Sequence, residues 1–391
     1  REDAAAMIER WTADRTEREV ARFVQQSLAL DELSHGLAAR LSKHVPMAGS
    51  CWHTMDPATV IFTTGYTEEF DQESGFPLLV ENEFFVPDVN KFRWLARQRR
   101  PVGTLHQATG GRPDRSPRYA TLSKPYGYGD EIRAVFRVGG SSWAAVIAAR
   151  HAGDKTFSAA DIDFFARIGP LVAAAYRRVL ISRHAEMEQE ADGPGLVILD
   201  GHGRIESATP AGHSWLDQLG RDVCARGLQT AVNAVEAVAR ASAMGRVSGP
   251  ARLRVRTRAG HWLVLHASLL DGRHDGRVGV ILEPAHPAEV ASILLEGYGL
   301  TAREREVVAL VLQGQSTREM AWSLGLSPYT IQDHLKSIFG KFGVGSRSEL
   351  VGRVFHRDYL PRLDRTPVAA DGFFASSPEP AADIRSSPPR P

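Results

Sequence analysis

At 391 residues with 43% apolar side chains, the chain is long enough for roughly two to four domains with ordinary cores. A formal charge of +1 excludes a global electrostatic footprint for nucleic acid or an anionic membrane, so any such surface must be local. Two cysteines, Cys51 and Cys224, lie far apart without C-x-x-C spacing, which excludes a disulfide framework or zinc site of the usual pattern and fits a reducing compartment.

Residues 1–45 are expected to form a charged N-terminal helical segment anchored by Trp11, Val20, Phe23, Val24 and Leu28. Its acidic residues Glu2, Asp3, Glu9 and Asp14 argue against an export signal, and the longest apolar runs, such as 143–149, are too short to span a bilayer. The expectation is a cytoplasmic protein. Residues 46–182 mix strand-like runs, "TVIFTTGY" and "SSWAAVIAARH" above all, with the turn-rich loop "TGGRPDRSP". They close with a helix capped by Ser158 and Asp161 that turns Ile162, Phe165, Ile168, Val172, Ala175 and Val179 inward, and Gly169-Pro170 is expected to kink or divide it. Residues 190–285 begin with two short strands around a glycine turn, pass through helices to about residue 243, and end in three strands. In one of these, Leu253, Val255 and Thr257 alternate with Arg252, Arg254, Arg256 and Arg258. The arginine row reads as a solvated edge that guards against aggregation, or as a surface for an acidic partner or a phosphate backbone. Beyond residue 361 the Pro-, Ala- and Ser-rich tail, 361–391, cannot build a core and is expected to be disordered. No internal repeat stands out.

Residues 297–356 carry a dense set of local helix signals. Thr301/Glu304, Ser316/Glu319 and Ser346/Glu349 have capping-box spacing, and Ser327-Pro328 supplies a cap followed by proline at the first helical position. Gly325 joins the second and third helices, which makes a helix-turn-helix in a four-helix frame. Ile331, Leu335, Ile338 and Phe342 form the buried row of the third helix, while Gln332, Asp333, Lys336 and Ser337 point the other way.

The stretch "GLTAREREVVALVLQGQSTREMAWSLGLSPYTIQDHLKSIFGKFGVGSRSELV" resembles the DNA-binding module of LuxR/NarL-family transcriptional regulators. The resemblance implies that the polar face of the third helix enters the major groove of double-stranded promoter DNA. Gln332 would pair with adenine, and Lys336 would reach guanine or a phosphate; Asp333 occupies a neighbouring reading position. Ser327 and Thr330 would meet the backbone at the helix amino end, and Lys341 and Arg347 fall at further DNA-binding positions of the pattern. The family more often has lysine in place of Gln332, so the preferred site is expected to differ, and seven Lys/Arg against five Asp/Glu over 299–356 keep the module only mildly basic. His334 beside the buried row reads as a packing residue. Leu350, Val351, Val354 and Phe355 on the fourth helix would serve a homodimer, although some of that surface must close the module's own core.

Ahead of the module there is no receiver-domain pattern and no Walker A motif. Residues 46–182 resemble a GAF domain through "WAAVIAARHAGDKTFSAADIDFFARIGPLVAAAYRR", and 190–285 resemble a degenerate PAS domain through "GLVILDGHGRIESATPAGHSWL". The fold class implied is multidomain: α+β GAF-like and PAS-like sensory domains, then an all-α four-helix LuxR-type helix-turn-helix. Both sensory folds can enclose a small-molecule effector, with Trp52, His53, Phe84, Phe85, Trp94 and Tyr126 as candidate lining, each also readable as ordinary core or surface. No metal, haem or flavin motif is evident, and Cys51 reads as a buried hydrophobe. The leading expectation is a one-component regulator that acts on DNA and RNA polymerase. The alternative is one whose amino-terminal domains bind a protein instead of a ligand. Glu68, Glu69 and Asp71 read as a solvated loop and "GGSSW" is not a nucleophile elbow, so no enzyme is expected.

Overall fold

The strand-like runs pair into two antiparallel sheets whose edges and crossings follow one plan. Of the 391 residues, the computed structural model describes 2–70, 72–181, 193–220, 229–270, 276–285 and 298–358, with the backbone alone for 2–11, 72–74 and 353–358. The chain folds as two compact units, one up to about residue 286 and one from residue 302 onward. Cys224, the tail from 361, and residues 182–189 and 288–297 lie outside the described residues.

Helices α1 (Glu2–Phe23) and α2 (Leu30–Leu41) open the first unit. The first sheet comprises β1 (Gly49–Asp56), β2 (Ile61–Glu68), β3 (Val102–Thr104), β4 (Tyr128–Val138) and β5 (Ser141–His151), in the order β2-β1-β5-β4-β3. Between β2 and β4 run α3 (Gln72–Phe85), α4 (Phe92–Leu95) and α5 (Leu105–Thr109). Helix α6 (Ala159–Ile181) covers one face of the sheet, and Ser158 caps it as expected, its Oγ accepting from the Asp161 amide at 3.1 Å. Ile162, Phe165, Ile168, Val172 and Ala175 are buried, Val179 only half so, and the helix runs unbroken through Pro170. The amino-terminal helices are part of this layer: Tyr176 of α6 meets Ser34 of α2 at 2.8 Å, and Arg167 pairs with Glu17 of α1 at 3.1 Å.

The second sheet comprises β6 (Gly195–Leu199), β7 (Ile205–Ala208), β8 (Ala251–Arg256), β9 (Trp262–Leu269) and β10 (Val278–Pro284), in the order β7-β6-β10-β9-β8. Counted from its own first strand, this is again 2-1-5-4-3: the repeat absent from the sequence is present in the topology. Helix α7 (Pro210–Leu219) follows β7, and α8 (Thr230–Ala243) packs on both β9 and β2. Alanine and valine dominate α8 and nearly every position is buried, because the helix lies between the two sheets and completes one apolar core running through both.

The arginine row is only half solvated: Arg252 and Arg258 are exposed, whereas Arg254 and Arg256 bond within the chain. Arg254 is 7% exposed and grips Asp56 at the end of β1, Nη2 to Oδ1 at 2.8 Å, while its backbone amide donates to Oδ2 at 2.7 Å. Arg256 donates to the carbonyls of Val179 and Leu180 at 3.0 and 2.9 Å, satisfying the last turn of α6. The acidic partner of Arg254 is within the same chain.

The second unit holds α9 (Ala302–Leu312), α10 (Thr317–Leu324), α11 (Pro328–Phe342) and α12 (Arg347–Asp358). Val307, Val308 and Val311 of α9, Met320 and Ala321 of α10, Ile331, Leu335, Ile338 and Phe342 of α11, and Leu350 of α12 are its buried side chains. Among the described residues, no helix is long and apolar enough to cross a membrane.

Candidate nucleic-acid interface

Helices α10, α11 and α12 of the second unit are each started by their own side chains. The Ser316 amide donates to Glu319 Oε2 at 2.6 Å and the Glu319 amide returns a bond to Ser316 Oγ, a completed capping box. Gly325 adopts φ +63°, the left-handed conformation that ends α10 in one residue and would strain a side chain. Ser327 Oγ accepts from the Thr330 amide at 3.1 Å and meets Thr330 Oγ1 at 2.9 Å, and Pro328 occupies the first position of α11. At α12 the Glu349 amide donates to Ser346 Oγ at 3.1 Å. Backbone amides donating to the carboxylates of Glu319 and Glu349 hold both groups below their ordinary range. Glu304 departs from the capping expectation. It turns inward and accepts from Ser337 Oγ at 2.7 Å and Lys341 Nζ at 2.5 Å, tying α9 to α11.

This framework sorts the seven candidate DNA-binding residues. Gln332, Asp333 and Lys336 are exposed on one side of α11, opposite Ile331, Leu335 and Ile338. Ser327 and Thr330 sit at its amino end, where the helix dipole favours an anion. Lys341 and Arg347 also bond within the module. The ammonium of Lys341 is held by buried Glu304, and Arg347 donates to the Gln315 carbonyl and lies 3.5 Å from Met320 Sδ. Their charges bridge helices of the module. His334 is half-buried beside the apolar row.

Two exposed aromatics escaped sequence reasoning: Trp322 on α10 is 87% exposed and Tyr329 on the first turn of α11 is 80% exposed. The available signal was that neither falls on the apolar row of its helix. Of the dimerisation candidates, Leu350 is fully buried in the module's core and Val351 is exposed, while the side chains of Val354 and Phe355 lie outside the described residues.

In the first unit a cavity of about 80 Å³ lies between the sheet and α3, and Tyr126 alone of the six candidate ligand residues lines it. The other five are placed by packing. Trp52 is buried, stacks on Phe136 and donates from Nε1 to Ser50 Oγ at 3.0 Å, bordering a larger cleft between the two sheets. His53 is buried between Phe62 and Phe76. Burial lowers its pKa to about 4 and pushes the Cys51 thiol up to about 12, so a neutral thiol and a neutral imidazole share the hydrogen bond between Sγ and Nε2 at 3.1 Å. Phe84 is core, Phe85 is half-buried with its carbonyl accepting from Arg246, and Trp94 is 53% exposed.

The helical module matches the family profile described as bacterial regulatory proteins, luxR family, over residues 299–354. The spore germination protein GerE of Bacillus subtilis is 42% identical over 52 residues, 13% of this chain and 70% of that protein. The monoamine regulon transcriptional regulator of Klebsiella aerogenes is 42% identical over 67 residues, 17% of this chain and 28% of that one. The chain spans about a third or less of the length of the first curated relatives it matches. A crystal structure of Escherichia coli SdiA aligns over 88% of this chain and 97% of its own, at 9% identity and a TM-score of 0.32.

Proposed function

The chain belongs to the luxR family of bacterial regulatory proteins, and from that premise we propose that it is a transcriptional regulator that inserts α11 into the major groove of promoter DNA. The observation that carries this reading is the face of α11. Among the described residues, Gln332, Asp333 and Lys336 make no side-chain hydrogen bond or ion pair, on a helix whose other side is fixed by four buried apolar residues. Gln332 offers the donor and acceptor pair that suits adenine, and Lys336 supplies a charge for guanine or phosphate. Ser327 and Thr330 contact the phosphate backbone at the helix amino end, and Tyr329 extends the same surface. Lys341 and Arg347, at further DNA-binding positions of the family pattern, also hold the module's shape.

The amino-terminal unit is read as two sensory domains, GAF-like over 46–182 and PAS-like over 190–285, and the 2-1-5-4-3 order of each sheet supports that reading. A small-molecule effector bound there shifts an equilibrium between two arrangements and so changes the affinity of a homodimer for DNA and its contact with RNA polymerase. Selection of bound duplexes from a randomised library tests the DNA part. One enriched site is expected, and recovery of an unenriched library would contradict it. Protein mass on the selected duplex tests the dimer, which a monomeric mass would contradict.

A further inference from the structure

Tyr329 stands near the centre of the face that α11 turns outward. At about 100° per residue, Lys336 lies roughly 20° from it around the helix axis, Asp333 roughly 40° and Gln332 roughly 60°. The buried side chains Ile331, Leu335, Ile338 and Phe342 all lie roughly 120–180° away. The start of the helix fixes this position: Ser327 Oγ accepts from the Thr330 amide, and Pro328 occupies the first turn. The ring is 80% exposed, and among the described residues the Tyr329 side chain makes no hydrogen bond or ring contact.

Two features direct this ring at base edges and away from phosphates. Side chains on a helix lean toward its amino end, so Tyr329 projects past the first turn, the part of a recognition helix that meets bases. Thr330, whose hydroxyl suits a phosphate, stands roughly 100° to one side, with its Oγ1 2.9 Å from Ser327 Oγ. Among the groups that base pairs present in the major groove, donors and acceptors match Gln332, Asp333 and Lys336. The apolar one is the C5-methyl of thymine, and a ring is its natural contact. Three residues of helix rise about 4.5 Å, against about 3.4 Å per base-pair step, which sets that thymine about one step from the base under Gln332.

We infer that Tyr329 is a specificity-determining residue whose ring packs on the C5-methyl of a thymine, about one base pair from the adenine held by Gln332. The inference rests on the reading of α11 as the helix in the groove and adds an apolar base contact to its polar ones.

The test uses the full-length chain and the duplex selected from the randomised library, with each thymine replaced in turn by deoxyuridine. That replacement deletes the methyl group and keeps the base pair. At one position it is expected to weaken binding about four-fold, the worth of one buried methyl. Tyr329→Phe keeps the ring and is expected to keep that loss, whereas Tyr329→Ala is expected to bind the thymine and deoxyuridine duplexes equally. Indifference of the parent to every replacement, a loss of the same size in Tyr329→Ala, or its disappearance in Tyr329→Phe would overturn the inference. If the parent is indifferent while Gln332→Ala still relaxes a base preference, the reading of α11 stands and the thymine contact alone falls. A library with no enriched duplex removes both.

Discussion

The carboxy-terminal module keeps its charges outside, while the two-sheet unit takes many of them in. Among the described residues from 302 onward, Glu304 is the one fully buried charged side chain, whereas Asp56, Glu83, Arg118, Glu131, Arg133 and Arg254 all lie in the interior of the first unit. The difference matches the tasks assigned to the two units. A module of four short helices is stabilised by caps and one apolar cluster, which leaves its outer face available for a polar partner. The first unit instead commits its buried charged groups to each other, and one of those pairs, Arg254 with Asp56, joins the two sheets. A buried ion pair is weak evidence for net stability, yet removal of one member is strongly felt.

The largest expected effect therefore lies where the two sheets join. Arg254→Met leaves the Asp56 carboxylate buried without its guanidinium and is expected to destabilise the amino-terminal unit by about 3–5 kcal/mol, read as a shift of its urea transition. An unshifted midpoint would remove the contrast between the units. The carboxy-terminal transition is expected to stay where it was.

Next in size is acid sensitivity. Burial lowers His53 to about 4 in the folded chain, against about 6.5 when unfolded, so the unfolded chain takes up the extra proton. Stability is full above pH 6.5 and falls as the pH drops toward 4, by roughly 3 kcal/mol from this residue alone. His53→Phe is expected to flatten that part of the profile, and identical profiles for variant and parent would refute the assignment. Glu319 and Glu349 are lowered too, but from the more acidic carboxylate value: stability from their caps is present above that unfolded value and is lost only as pH falls further. The amino-terminal unit should thus begin to loosen at a higher pH than the carboxy-terminal one.

The smallest of these effects is a single cap. Ser316→Ala removes the acceptor of the Glu319 amide and is expected to cost the helical module about 1 kcal/mol with no change in the first unit. Loss below about 0.3 kcal/mol would mean that the capping box contributes little to this helix pair.

The helical module was legible in the sequence because its signals act over three or four residues: Ser316 with Glu319, Ser327 with Thr330, Gly325 at a single turn. The strands quoted from the sequence, including 141–151, were legible from their apolar run, as was the cap at Ser158. Burial of charge was not. In β4, Glu131 and Arg133 alternate with Ile132 and Ala134, which reads as a wet face over a dry one. Their partners Arg118 and Glu83 stand 13 and 50 positions away, and those of Arg254 stand 198 positions away, beyond any local pattern. The same distance hid the cavity, whose lining comes from five separate segments. Lys341 and Arg347 matched a pattern of residue types, and only the positions of Glu304 and Gln315 disclose that they also hold the helices together.

The most direct test of the claim that α11 reads DNA is a fluorescence titration of the selected duplex and its single-base variants at several salt concentrations. Lys336→Ala is expected to weaken binding to every duplex and reduce the salt slope by about one, as loss of one phosphate contact requires. Gln332→Ala is expected to relax the preference at one base pair, at about 1–3 kcal/mol on the selected site. If both variants bind every duplex as the parent does, with the same salt slope, α11 does not lie in the groove.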